Sequence, residues 1–253
     1  MDAYSADLDL VLNRAADAGV SAIITIGIDA ASSKQAVKLA ERFTQIYAAV
    51  GIHPHDAANA TEEDFKIMTE LAAHDKVVGY GEIGLDYAKK YSPKKIQQQI
   101  FSRQLQLAKE LNIPVIIHDR EAHEDTLCLL QEHAPYPAGG IMHCFSGDMT
   151  LAEKIMDLGF LISIPGIVTF KNAYSLHEVA ATLPLGSMLI ETDGPFLTPV
   201  PYRGKRNEPG YIIHTAQKIA ELAGIPLRHV AAATTANAQS IFKFQVMKQS
   251  NAL

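Results

Sequence analysis

Tryptophan is absent from this chain of 253 residues, and cysteine nearly so, with Cys128 and Cys144 its two thiols. Two cysteines cannot build a disulfide framework, so the fold must rest on a hydrophobic core, and a reduced, cytosolic setting is the better reading. No apolar run approaches the ~20 residues of a membrane span. The longest, near residues 22–28, has the length of a strand. The opening Met-Asp-Ala-Tyr-Ser-Ala-Asp lacks the basic and apolar regions of a signal peptide. These absences predict a cytoplasmic protein with no membrane association. Excess positive charge is missing too: 22 Lys and Arg face 28 Asp and Glu, for a net charge of −6. That argues against a generally basic nucleic-acid surface but not against a nuclease, because a local basic loop and bound cations can hold phosphate. No linker, low-complexity tract or charge block marks a boundary, so residues 1–253 read as a single domain with no obligate protein partner.

What is present is a rhythm. Short Ile- and Val-rich runs at 21–28, 46–52, 77–85, 113–118, 140–145, 160–164 and 187–192 read as strands. Their apolarity on both faces is what a buried parallel strand requires. Amphipathic stretches at 31–43, 62–74, 94–111, 121–133, 151–158 and 173–183 read as helices between them. Ala18-Gly19-Val20 and Leu158-Gly159-Phe160 carry glycine where a left-handed helix end is expected. Alternating strands and helices imply parallel pairing with right-handed crossovers. Two architectures satisfy that order, a TIM-type (β/α) barrel and an open doubly wound sheet. The barrel is favoured because polar residues collect at the carboxyl end of strand after strand, not at one switch point. Seven strands are visible, and the chain opens with a helix at 5–18, so the expected barrel is distorted and its first strand missing.

The strand ends carry the chemistry. They read Gly51-Ile-His-Pro-His55, Gly81-Glu-Ile-Gly-Leu-Asp86, His118-Asp-Arg120, His143-Cys-Phe-Ser-Gly147 and Glu191-Thr-Asp-Gly-Pro195. Strand six ends Ile164-Pro165-Gly166 and offers no ligand. Glu82, His118, His143 and Asp193 are separated by intervals of one or two βα units, so a barrel would converge them on its axis. Mixed imidazole and carboxylate donors suit Zn²⁺, Mn²⁺, Fe²⁺ or Co²⁺ better than an all-oxygen cage would. Taken singly, each has an ordinary structural reading: a hydrogen-bonded scaffold histidine, a salt-bridging glutamate, a turn aspartate. Their joint occurrence on the chemical face favours a metal site. Asp193 is expected to be both ligand and proton acceptor, with Glu191, two residues earlier on the same strand face, orienting it or another ligand. Cys144 reads as a small packing residue beside the site in preference to a catalytic thiol.

Taken in order, these motifs, with Arg203-Gly-Lys-Arg-Asn-Glu-Pro209 and Asn237-Ala-Gln-Ser-Ile-Phe242, resemble the TatD family of metal-dependent deoxyribonucleases. The resemblance covers essentially the whole chain. It implies a distorted, amidohydrolase-like TIM barrel that holds two or three divalent metals and cleaves phosphodiester bonds in DNA with a metal-activated water. It puts a bridging ligand and catalytic role on Glu82, further ligands on His118 and His143, and the last-strand ligand and proton acceptor on Asp193. His53 falls near the substrate phosphate and Arg203 in the substrate-contacting loop, where its guanidinium suits a phosphate clamp. Tyr87 or Phe196 is a candidate for stacking on a base. The family's opening strand with its His-x-His has no counterpart before the first helix; a start inside a longer natural chain is favoured over a natively shorter chain with a weakened site. The same four ligands also suit a related hydrolase, such as one deacylating aminoacyl-tRNA. A catalytically impaired nucleic-acid-binding form is the third reading.

Overall fold

The structure, a computed structural model, describes residues 2–244. Helix α1 (Leu8–Asp17) leads into β1 (Ile23–Ile26), α2 (Ala30–Arg42), β2 (Ile46–Val50), α3 (Glu62–Ala72) and β3 (Val77–Asp86). Then follow α4 (Lys94–Glu110), β4 (Val115–Arg120), α5 (His123–His133), β5 (Gly140–Met142), α6 (Met149–Asp157) and β6 (Phe160–Ile164). The chain ends with α7 (Tyr174–Thr182), β7 (Met188–Ile190), α8 (Ile212–Ala223) and α9 (Leu227–Phe242). All seven strands lie in one parallel sheet in sequence order, β1 to β7.

Side chains alternate across this sheet, as strand geometry demands. Ile46, Ala48 and Val50 on β2, Val115 and Ile117 on β4, and Ile162 and Ile164 on β6 point into a large core shared with the helices. The opposite face gathers Ala49, Val78, Ile116, Ile141 and Leu189 around Phe242 and Phe244. Residues of β2 and β7 could not share one cluster on a flat sheet, so the sheet curls, with these residues on its concave side. It is a distorted α/β barrel, as expected. Among the described residues β1 pairs only with β2 and β7 only with β6, and the curl remains open between them.

Local chemistry sets the element ends. Asp29 with Ser32 and Thr61 with Asp64 form capping boxes at α2 and α3, each satisfying otherwise orphaned N–H groups. Gly19 and Gly159 adopt positive φ, 84° and 80°, just beyond α1 and α6. β5 and β7 end at Met142 and Ile190, short of the expected 145 and 192, and the chain turns shortly after each, at Cys144 (φ 46°) and Asp193 (φ 52°). Helices α8 and α9 were not among the expected elements. No helix among the described residues is long and apolar enough to cross a membrane.

Candidate metal centre

The period of two that builds the concave face also delivers the polar groups. Two residues beyond the inward-facing Ile116, Ile141, Leu161 and Leu189 stand His118, His143, Ser163 and Glu191, each at the carboxyl end of its strand. On β3, Glu82 and Asp86 share that face. Gly84 between them has φ 145°, and a Cβ there would lie 1.9 Å from the His118 carbonyl oxygen, so glycine alone permits β3 and β4 to approach this closely.

Glu82 Oε1 is the focus. It lies 2.5 Å from His118 Nδ1, 3.6 Å from His143 Nε2 and 3.7 Å from His53 Nε2. Burial works to raise the Glu82 pKa, but the His143 charge and the His118 hydrogen bond outweigh it and hold the carboxyl well below the usual range. His118 is gripped at both nitrogens, by Glu82 and, 3.2 Å from Nε2, by Asp86 Oδ2. Burial would lower its pKa, yet the hydrogen bonds to Asp86 and Glu82 raise it to about 9.

His143 is oriented from behind. Its Nδ1 is 2.9 Å from Glu191 Oε2, so its Nε2 faces Glu82 and, at 3.9 Å, Asp193 Oδ1. The same Glu191 oxygen accepts the Cys144 backbone N–H and the Ser163 hydroxyl, while Oε1 is buried without a partner among the described residues. Asp193 is raised to about 7, by burial first and by the Glu191 and Glu82 charges, against the pull of His143. Burial likewise lifts the Cys144 thiol far above its ordinary value, with Glu191 and Asp193 adding to it. A protonated thiol is a poor nucleophile, which suits the packing role expected for Cys144.

The chain matches the TatD related DNase family over residues 1–243. It belongs to that family. It is 47% identical over 240 residues to the uncharacterized metal-dependent hydrolase YabD of Bacillus subtilis, covering 95% of this chain and 94% of the relative. A Shigella flexneri protein named 3′-5′ ssDNA/RNA exonuclease TatD is 37% identical, with 94% of each chain covered. The solved structure of YjjV, a TatD homolog from Escherichia coli K12, superposes with a TM-score of 0.91 at 33% identity, covering 96% of this chain and 94% of that one. Membership makes this chain a TatD-family metal-dependent hydrolase.

The residues present fit a divalent cation. Two groups have ligand atoms within 4.8 Å of one another: His53, Glu82 and His118, and His143, Cys144 and Asp193. Imidazole nitrogens converging on a single carboxylate oxygen, with Asp193 opposite, form a donor set of the kind transition metals take. His53 differs from the other two histidines. Its Nδ1 accepts the His55 backbone N–H at 3.1 Å, and burial lowers its pKa to about 3. The neutral ring must then carry its hydrogen on Nε2 and present a donor toward Glu82.

Glu82, His118, His143, Asp193, His53 and Glu191 thus lie together in the structure. Arg203 does not join them: its guanidinium lies 4.4 Å over the Phe170 ring, and it forms no ion pair among the described residues. Its neighbour Arg206 is held by Asp7 and Glu208. Tyr87 has its hydroxyl bonded to Asp125 and one ring face covered by Lys94. Phe196 is exposed. Three participants went unassigned in the sequence: Asp86, His55 and Ser163. The Glu82-x-Gly84-x-Asp86 spacing signals the first; the other two are defined by partners on other strands.

Proposed function

We propose that the chain is a metal-dependent deoxyribonuclease that cleaves phosphodiester bonds. The observation that carries this reading is the convergence of His118, His143 and His53 on Glu82 Oε1 with Asp193 facing His143. Glu82, His118 and His143 would hold one divalent cation, and Glu82 with Asp193 would hold a second. Such cations supply Lewis acidity, neutralising phosphate charge and lowering the pKa of water from about 15.7 to about 7. The chain's own groups do the rest. Glu191 takes the Nδ1 hydrogen of His143 and so keeps Nε2 aimed at the site. His53 offers its Nε2–H to a nonbridging phosphate oxygen, where donors aimed at growing negative charge contribute most. Asp193, partly exposed at the mouth, accepts the proton of the attacking water. The exonuclease name of the Shigella flexneri relative supports DNA or RNA strands as the substrate class.

The test compares release of nucleotides from single-stranded DNA with deacylation of charged tRNA, both with added divalent metal. We expect nucleotide release, abolished by His143→Ala and cut at least ~100-fold by Asp193→Asn, the scale of a lost general base. Deacylation without nucleotide release would sink the nuclease reading while keeping the hydrolase. A large loss of stability in His143→Ala would show that histidine to be scaffold.

A further inference from the structure

Lysines crowd one short loop in a chain of net charge −6. From beyond β3 into the first turn of α4 the sequence runs Lys89-Lys90-Tyr91-Ser92-Pro93-Lys94-Lys95. All four lysines are exposed, and none pairs with a carboxylate among the described residues. Tyr91 stands in their midst with 67% of its surface exposed.

The loop is nonetheless anchored. Ser92 is nearly buried; its hydroxyl donates to the His55 carbonyl at 2.8 Å and accepts the Ala58 N–H at 3.0 Å. Buried Gln97 donates to the Ser92 and Asp86 carbonyls and accepts the Asp86 N–H. Asp86 Oδ1 in turn accepts the Lys89 N–H at 2.8 Å. Tyr91 is therefore held outward on a fixed base. Its ring meets His55 at 4.8 Å with planes at 70°, a contact that leaves most of the ring open.

A continuous series of rings links Tyr91 to the metal centre. His118 and His53 lie 4.6 Å apart, His53 and His55 4.3 Å, and His55 and Tyr91 4.8 Å, each edge to face. An open aromatic face among unpaired cations, one imidazole removed from the reacting groups, fits an anionic chain that carries flat rings.

We propose that residues 89–95 form a nucleobase-stacking subsite, in which Tyr91 seats a base of single-stranded nucleic acid and Lys89, Lys90 and Lys95 attract its backbone. This rests on the phosphodiesterase reading above. Stacking on an aromatic side chain is tolerant of base identity and available only where bases are unpaired.

The experiment uses the metal-loaded protein with two substrates: a single-stranded DNA oligonucleotide and bis(p-nitrophenyl) phosphate, a phosphodiester without bases. Tyr91→Ala should lower the ratio of the two kcat/KM values about 5- to 150-fold, the equivalent of about 1–3 kcal/mol of stacking, mainly through KM for the oligonucleotide. Tyr91→Phe and Tyr91→Trp should restore the ratio. Lys89→Gln with Lys90→Gln should flatten the salt dependence of oligonucleotide binding by about 0.7 in log–log slope per lysine. An unchanged ratio in Tyr91→Ala overturns the subsite, and so does a parallel fall with both substrates, which would mean that Tyr91 merely braces His55. Wild-type protein that hydrolyses bis(p-nitrophenyl) phosphate but no oligonucleotide would instead sink the nuclease reading, and this inference with it.

Discussion

Glu191 brings a carboxylate to a half-buried position where one oxygen serves three donors and the other has no partner among the described residues. Burying half a carboxylate unpaired is unfavourable, and what offsets it is the fixed orientation of His143. Glu191→Gln keeps the shape but weakens the acceptor, so affinity for Zn²⁺ or Mn²⁺ should fall about 10- to 100-fold in a chelator-competition titration. An unchanged affinity would leave Glu191 a purely structural residue. His118 gives a pH prediction. Its folded pKa, about 9, lies above its unfolded 6.5, so its contribution to metal-free stability is complete below about pH 6.5 and is lost as pH rises through 9. His143 is raised in the same direction. The metal-free protein should therefore lose thermal stability between pH 6.5 and 9, while metal affinity climbs over that window because a cation must displace the His118 proton. Proton uptake on binding, or a flat affinity profile, would contradict the His118 assignment.

Helix α4 does more than cover the sheet. Gln104 clamps both backbone groups of Ile52 at the end of β2, and Gln97, two turns earlier, clamps Asp86 at the end of β3. Both amides are almost fully buried. Gln104→Ala would strand two buried backbone groups at about 1–3 kcal/mol each, so urea unfolding should register a loss of roughly 2–6 kcal/mol with an unchanged m value. A loss below about 1 kcal/mol would mean that water replaces the amide. This clamp marks the limit of what was legible beforehand. The strands and six of the intervening helices could be read because apolar periodicity is local to each segment, and Glu82, His118, His143 and Asp193 because each ends such a run. Gln97 and Gln104 look like ordinary helix-surface glutamines until the loop above them is known. His55 and Ser163 likewise gain meaning from partners on other strands. The turns that follow β5 and β7 were hidden because positive φ at Cys144 and Asp193, neither a glycine, has no signature in composition. The clamp on Arg206 by Asp7 joins groups almost the whole chain apart.

At the scale of the whole molecule, the curled sheet gathers four carboxylates at the carboxyl ends of its strands. Glu82, Asp86, Glu191 and Asp193 share the pocket with His53, His118 and His143. In the metal-free state protons on imidazole and on Asp193 moderate the repulsion, as the raised values of His118 and Asp193 record. A divalent cation relieves it more completely. The unfolded chain has no such convergence, so binding is coupled to stability. At a free concentration 100 times Kd the linkage amounts to about 2.7 kcal/mol. For a domain of this size that corresponds to a rise in Tm of roughly 5–10 °C. Differential scanning calorimetry with and without EDTA, at fixed pH, measures it directly. The rise should be smaller in Glu191→Gln at equal total metal, and close to zero when His118 and His143 are both replaced by alanine. If Tm were the same in EDTA and in excess Zn²⁺ or Mn²⁺, the seven groups would be a self-sufficient polar network. The open edge between β1 and β7 sharpens the comparison, since Glu82 of β3 and Asp193 beyond β7, two residues that would hold a cation, come from the two sides of the edge that no strand closes among the described residues. Metal should then slow hydrogen exchange along β1 and β7 more than along the central β4 and β5, which are held on both sides already.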